Sequence, residues 1–146
     1  MPKNLEAIFS KAEEDRIIDT IREAEANTSG EIRVHLSQKS TQNAMETTKQ
    51  LFNELRMFNT TNRNAVLLHI SLGSKSFAIY GDKGIHQVVP DHFWENTRNV
   101  MTKHFRAGDL IEGICAGVTY VGEQLKAHFP WKTDNVNELS DDISYD

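Results

Sequence analysis

The run Ala65-Val66-Leu67-Leu68-His69-Ile70 constrains this chain most. Nearly unbroken apolar character over a strand-length segment suits a strand covered on both faces. Such a strand needs partners above and below it, so a layered α/β domain is expected. The flanking segments supply those partners. Ile32, Val34 and Leu36 alternate with Arg33, His35 and Ser37, the pattern of a strand with one buried face. Between the two strands, Ala44, Thr48, Leu51, Phe52 and Leu55 share one helical face, which predicts a helix over about 42–57. A strand–helix–strand crossover makes the first and second strands parallel. After Gly73-Ser74 the segment Ser76-Phe77-Ala78-Ile79-Tyr80 returns as a third, antiparallel strand, and Gly81-Asp82-Lys83-Gly84 reads as a loop.

Helices complete the layers. Ser10-Lys11-Ala12-Glu13 has capping-box spacing, and Ile17, Ile18, Ile21 and Ala24 recur at helical intervals. The first helix is therefore placed over 11–26, stopped by Asn27-Thr28-Ser29-Gly30. Asp91, after Pro90, is placed to cap a helix that carries Phe93, Trp94, Thr97, Val100, Met101 and Phe105 on one face and ends at Gly108. Asp109 is placed to cap the last helix, which Pro130 terminates. Its Gly113, Ala116 and Gly117 are small enough to let a neighbouring helix come close. The expected fold is an α/β/α sandwich: a small mixed sheet, with parallel first and second strands and an antiparallel hairpin, flanked by about four helices.

Charge divides the chain. The net charge is −5, and Asp134, Glu138, Asp141, Asp142 and Asp146 all lie in the last 14 residues, which hold no Lys or Arg. Without these five, the remaining 16 acids equal the 16 bases. A neutral body has no electrostatic drive toward nucleic acid. The expected organisation is one domain over 8–131 and an acidic, disordered tail over 132–146. The first residues lack the apolar core of a signal peptide, and no apolar run is long enough to span a bilayer, so a cytoplasmic location is expected. Cys115 is the single cysteine, which excludes an internal disulfide and a multi-cysteine metal site. It falls on the apolar face of the last helix, as a buried structural thiol would.

Several motifs together resemble the TPM domain family. They are Thr28-Ser29-Gly30-Glu31-Ile32-Arg33-Val34 entering the first strand, Asn62-Arg63-Asn64-Ala65-Val66-Leu67-Leu68 entering the second, and Ile79-Tyr80-Gly81-Asp82-Lys83-Gly84-Ile85 leaving the third. Phe105-Arg106-Ala107-Gly108-Asp109 and the following Gly113-Ile114-Cys115-Ala116-Gly117-Val118 complete the set. The resemblance runs over roughly residues 8–129. It implies an α/β/α sandwich, a divalent-cation site in a cleft, and in some members a weak acid phosphatase activity. Two departures stand out: Arg63 and Ala65 replace the family's usual acidic residue and glycine around Asn64, and neither the signal peptide nor the membrane segment usual in the family is expected from these residues.

Strand directions lead to the same cleft. An antiparallel third strand brings Asp82 near Asn62 and Asn64, and a parallel first strand puts Glu31 on that edge. Asp109, at the start of the last helix, is expected to cover it. Carboxylate and amide oxygens from separate loops suit Ca²⁺ ahead of Mg²⁺. The expected ligands are Asp82 at the core with Glu31, Asn64 and Asp109 as helpers. Asp82 also suits a plain turn and Asp109 a plain helix cap. Arg56, Arg63 and Lys83 are placed to hold an anion nearby.

No phosphate-binding P-loop, G-x-S-x-G elbow or H-E-x-x-H motif occurs. His69 and His104 read as core histidines, whereas His35 falls on the polar side of its strand. Three functions follow as expectations: a cation-binding regulatory or interaction module without efficient catalysis, a weak metal-dependent phosphomonoesterase, or a structural domain whose acidic tail recruits a protein partner.

Overall fold

The computed structural model describes residues 9–90, 92–131 and 139–146. The chain runs α1 (Lys11–Glu25), β1 (Glu31–Ser37), α2 (Ala44–Glu54), β2 (Ala65–Ser71), β3 (Ser76–Gly81), α3 (Lys83–His86), α4 (Glu95–Arg106), α5 (Leu110–His128) and β4 (Ser144–Tyr145). The sheet order is β3-β2-β1-β4. β1 is parallel to β2, and β2 is antiparallel to β3, as the strand–helix–strand and hairpin patterns predict.

The period-2 alternation of the strands sorts their side chains into two cores. Ile32, Val34 and Leu36 join Val66, Leu68, Ile70 and Ile79 on one face, under α1, α4 and α5. Ala65 and Leu67 face the other way, against Leu51 and Phe52 of α2 and the following Met57. All seven residues of β2 are buried, which is why its sequence shows no alternation. Each fully buried Ile or Leu contributes about 1.5–3 kcal/mol relative to exposure.

Local signals explain the helix ends. Ser10 and Glu13 form a complete capping box at the start of α1. Asn43 caps α2 by accepting from the Glu46 amide at 3.0 Å. α2 is shorter at both ends than the apolar spacing predicts. The last helix meets its neighbour closely, as its small residues foretell. A Cβ on Gly117 would lie 2.5 Å from the Met101 sulfur of α4.

Several expectations need correction or fall outside the described residues. Asp91, the expected cap of α4, lies outside them; Trp94 stands at the N-cap position and makes no side-chain cap bond. Asp109 does stand at the N-cap position of α5, but its side chain makes no cap bond either. The loop at 81–84 closes into a short helix, because Asp82 accepts from the Lys83 amide at 2.7 Å and caps α3.

The last correction concerns the tail. Residues 139–146 are not loose: β4 pairs in parallel with β1, matching His35 to Ser144 and Leu36 to Tyr145. Two main-chain bonds of 3.1 Å close the ladder, Asp146 N to Leu36 O and Gln38 N to Asp146 O. Ile143 joins the main core at 8% exposure. This strand also explains a misread histidine. His35 is buried, not solvent-facing, because the returning tail covers it; its Nδ1 lies 2.7 Å from the Ser144 Oγ.

Candidate functional site

The register places three of the four expected ligands at one sheet edge. Glu31 opens β1 opposite Ala65, and Asn64 directly precedes Ala65. Asp82 follows β3 and donates its amide to the Ala65 carbonyl at 2.9 Å. Glu31, Asn64 and Asp82 are respectively 3%, 0% and 3% exposed. Burying two carboxylates and an amide is costly unless each finds partners.

Asp82 is the best satisfied. Its Oδ1 takes the Lys83 amide, and Arg63 grips both oxygens, Nε to Oδ2 at 2.6 Å and Nη2 to Oδ1 at 2.9 Å. A forked guanidinium–carboxylate pair is among the stronger polar contacts available to a protein. Arg63 reaches it from a left-handed backbone with φ 51°. The Arg63 carbonyl accepts from the Gly84 amide at 2.9 Å. Gly84 permits this approach: a Cβ there would lie 2.2 Å from the Asn62 carbonyl oxygen and 2.6 Å from that of Arg63. The two loops are thus locked together, and the anion that Arg63 holds is the protein's own.

Asn64 differs. Its Nδ2 donates to the Ser29 hydroxyl at 3.3 Å, but its Oδ1 is buried with no hydrogen-bond partner among the described residues. Such a carbonyl oxygen is the kind of atom that a water, a donor or a hard cation satisfies.

Glu31 belongs to a second group of carboxylates. Glu25, at the end of α1, accepts from the Ile32 amide at 2.7 Å and hydrogen-bonds Asp141. Burial, the Asp141 bond and the charge of Glu31 hold the Glu25 carboxyl far above the usual carboxylate range, so it is protonated at neutral pH. Asp141 also lies 3.6 Å from Arg22.

Asp109 is elsewhere. The C-terminal end of α5 is tied to the entry of β1, where Ser29 N donates to Phe129 O at 2.9 Å and Thr28 bridges Pro130. Nineteen helical residues separate that end from Asp109, about 28 Å at the helical rise. The residues on either side of Asp109, Gly108 and Leu110, face Ile70, Ser71 and Ser76 at the far end of β2 and β3. The expected convergence of Asp109 with Asp82 is therefore corrected. Among the described residues, no set of three or more His, Cys, Asp and Glu side chains is arranged to hold a metal ion.

His69 is buried, as its place in the apolar run of β2 predicts, but its partners are not legible in the sequence. His69 is 1% exposed and bonded to Thr48 at 2.9 Å. Its pKa is lowered to about 4, by burial first and then by neighbouring His35. His35 also approaches Asp146, Nε2 to Oδ1 at 3.1 Å. Ser144, His35 and Asp146 thus lie in a chain, but the imidazole is enclosed between strands, out of reach of a substrate. Cys115 is buried, and burial pushes its thiol pKa up, away from nucleophile chemistry.

The model for the TPM domain matches residues 3–124. The chain belongs to the TPM domain family. The BA42 protein from the psychrophilic bacterium Bizionia argentinensis has the same fold, with 42% identity over 98% of this chain and 99% of that one and a TM-score of 0.91. An N-terminal domain from P. gingivalis shares the fold at 24% identity and a TM-score of 0.68, covering 83% of this chain and 78% of its own. The N-terminal domain of cg2496 from Corynebacterium glutamicum does so at 14% identity and a TM-score of 0.64, over 86% and 84%. No curated protein matches the chain. Among the described residues of this TPM domain, no helix is long and apolar enough to cross a membrane.

Proposed function

We propose that this TPM domain is a divalent-cation-binding regulatory or interaction module, with Ca²⁺ favoured over Mg²⁺, and that it works without efficient catalysis. The observation that carries the reading is the buried Oδ1 of Asn64, which has no hydrogen-bond partner among the described residues and shares its sheet edge with two buried carboxylates. Amide and carboxylate oxygens are what a hard cation takes, and Ca²⁺ accepts the irregular geometry of loop-borne ligands better than Mg²⁺ does. Asn64 and Glu31 fit such an ion directly. Asp82 fits it in competition with Arg63, whose guanidinium occupies both of its oxygens. Asp109 has no part in it. The non-catalytic half of the reading rests on what surrounds these oxygens: no nucleophile–base pair lies beside them among the described residues.

Titration of Ca²⁺, then Mg²⁺, into metal-stripped protein tests this by amide chemical shifts. Saturable shifts centred on 31, 62–64 and 82 are expected, with a rise in Tm by linkage. Asn64→Ala should abolish them, and Arg63→Gln, which frees Asp82, should tighten binding. Shifts confined to the acidic tail, or none, would refute the site. EDTA-sensitive phosphomonoester hydrolysis that disappears in Asp82→Ala would replace the binding module with the phosphatase alternative.

A further inference from the structure

A cavity of about 680 Å³ opens at the end of the sheet opposite the candidate cation edge, between the β2–β3 turn and the α4–α5 corner. It lies where the main core runs out. Leu72, Phe77, Phe105 and Leu110 pack against that core yet stay partly exposed, because they line the opening. The Phe77 and Phe105 rings meet edge to face at 5.2 Å and 83°. This size and apolar lining are typical of small-molecule sites.

Its polar groups share one sign. Lys75 and Arg106 stand exposed at the mouth, and no acid among the described residues lines the cavity. Among the described residues neither is in an ion pair. Asp109 begins α5 beside the mouth but does not line it. The hydroxyl residues Ser71, Ser76 and Thr102 also line the cavity. Ser71 is committed, donating to the Lys39 carbonyl at 2.8 Å, whereas the Ser76 Oγ is buried with no hydrogen-bond partner among the described residues. Lys75 holds its place at φ 51°, a conformation that favours glycine or asparagine over lysine.

We infer that this cavity is a binding site for a small amphipathic carboxylate, its chain or ring against Phe77 and Phe105 and its head group between Lys75 and Arg106. The apolar walls supply the affinity, and the two exposed cations select an anionic head over a neutral one. The site is independent of the cation edge, which lies at the opposite end of β2.

Decanoate, kept below its micelle concentration, is the probe, with decanol as the control that keeps the chain and removes the charge. Amide shifts read both titrations. Decanoate should give saturable shifts over residues 70–77 and 102–110, and decanol should bind about tenfold more weakly, as two solvent-facing charge contacts would produce. The variant Lys75→Asn with Arg106→Gln keeps a residue that tolerates positive φ and a good helix former, so it should fold, as its amide spectrum will report. It should bind decanoate about tenfold more weakly and decanol unchanged. Absence of saturable decanoate shifts, shifts centred away from the cavity, or equal decanoate affinity in the folded variant would each overturn the inference.

Discussion

Replacing Gly84 with alanine tests whether the two loops of the candidate edge are pressed together as tightly as the structure shows. The added Cβ would sit 2.2 Å from the Asn62 carbonyl oxygen and 2.6 Å from that of Arg63, both of them backbone atoms. Ordinary contact requires a retreat of about 1 Å. No rotamer change relieves the clash, because no side chain is the obstacle. Separation also stretches the 2.9 Å bond from the Gly84 amide to the Arg63 carbonyl. Overpacking of this kind costs about 1–3 kcal/mol and a lost buried hydrogen bond a further 1–3. The better helix propensity of alanine returns up to about 1 kcal/mol. The net expectation is a loss of about 3 kcal/mol, or roughly 6–12 °C in Tm for a domain of this size. Urea denaturation of wild type and Gly84→Ala measures it, with Lys83→Ala, at an exposed neighbouring position, as a control within about 0.5 kcal/mol. A Gly84→Ala protein as stable as that control would show that the loops are not locked. The contact between Arg63 and Asp82 would then lose its structural basis.

Three further outcomes follow from the buried interior. The Glu25 pKa is raised above its ordinary 4.5, so the folded state binds this proton more tightly than the unfolded chain does. The contribution of Glu25 to stability is then fully present below about pH 4.5 and is lost as pH rises through the folded value. Glu25→Gln, neutral at every pH, should raise the urea midpoint at pH 9 and leave it unchanged at pH 4; an equal effect at both would rule out a protonated Glu25. His69, with a pKa near 4, should show no ring titration by NMR between pH 7 and pH 5, and its stabilising neutrality should be lost as pH falls from 6.5 through about 4. Ile143→Ala should cost about 2 kcal/mol, at the low end for a core isoleucine near a sheet edge. A change under about 0.5 kcal/mol would mean that the terminal strand is not docked.

Much of the fold was legible because its signals are local. The capping box at Ser10, the alternation from Ile32 to Leu36 and the apolar run of β2 each lie within a few residues. The parallel crossover and the antiparallel hairpin follow from connection length, and they bring Glu31, Asn64 and Asp82 to one edge. Asp109 was misplaced because a cap position names the start of a helix and says nothing of which end of the sheet that start lies over. The direction of α5 is set by its packing along α1 and α4, with the Gly117–Met101 contact among the restraints.

The sequence by itself determined the layers, the strand directions and the two core faces, because hydrophobic periodicity is a property of neighbouring residues. Only the tertiary structure decided the chemistry of the buried polar groups. Arg63 and Asp82 are 19 positions apart, and His35 and Ser144 are 109 apart. The acidic residues at the C-terminus read as a solvated tail because charge predicts exposure on average. Yet Asp141 shares a hydrogen bond with Glu25, and Ile143 completes the core, once β4 finds the open edge of β1. A buried polar group is stable only beside its partner, and which partner it meets is settled by chain segments that come together only in the fold.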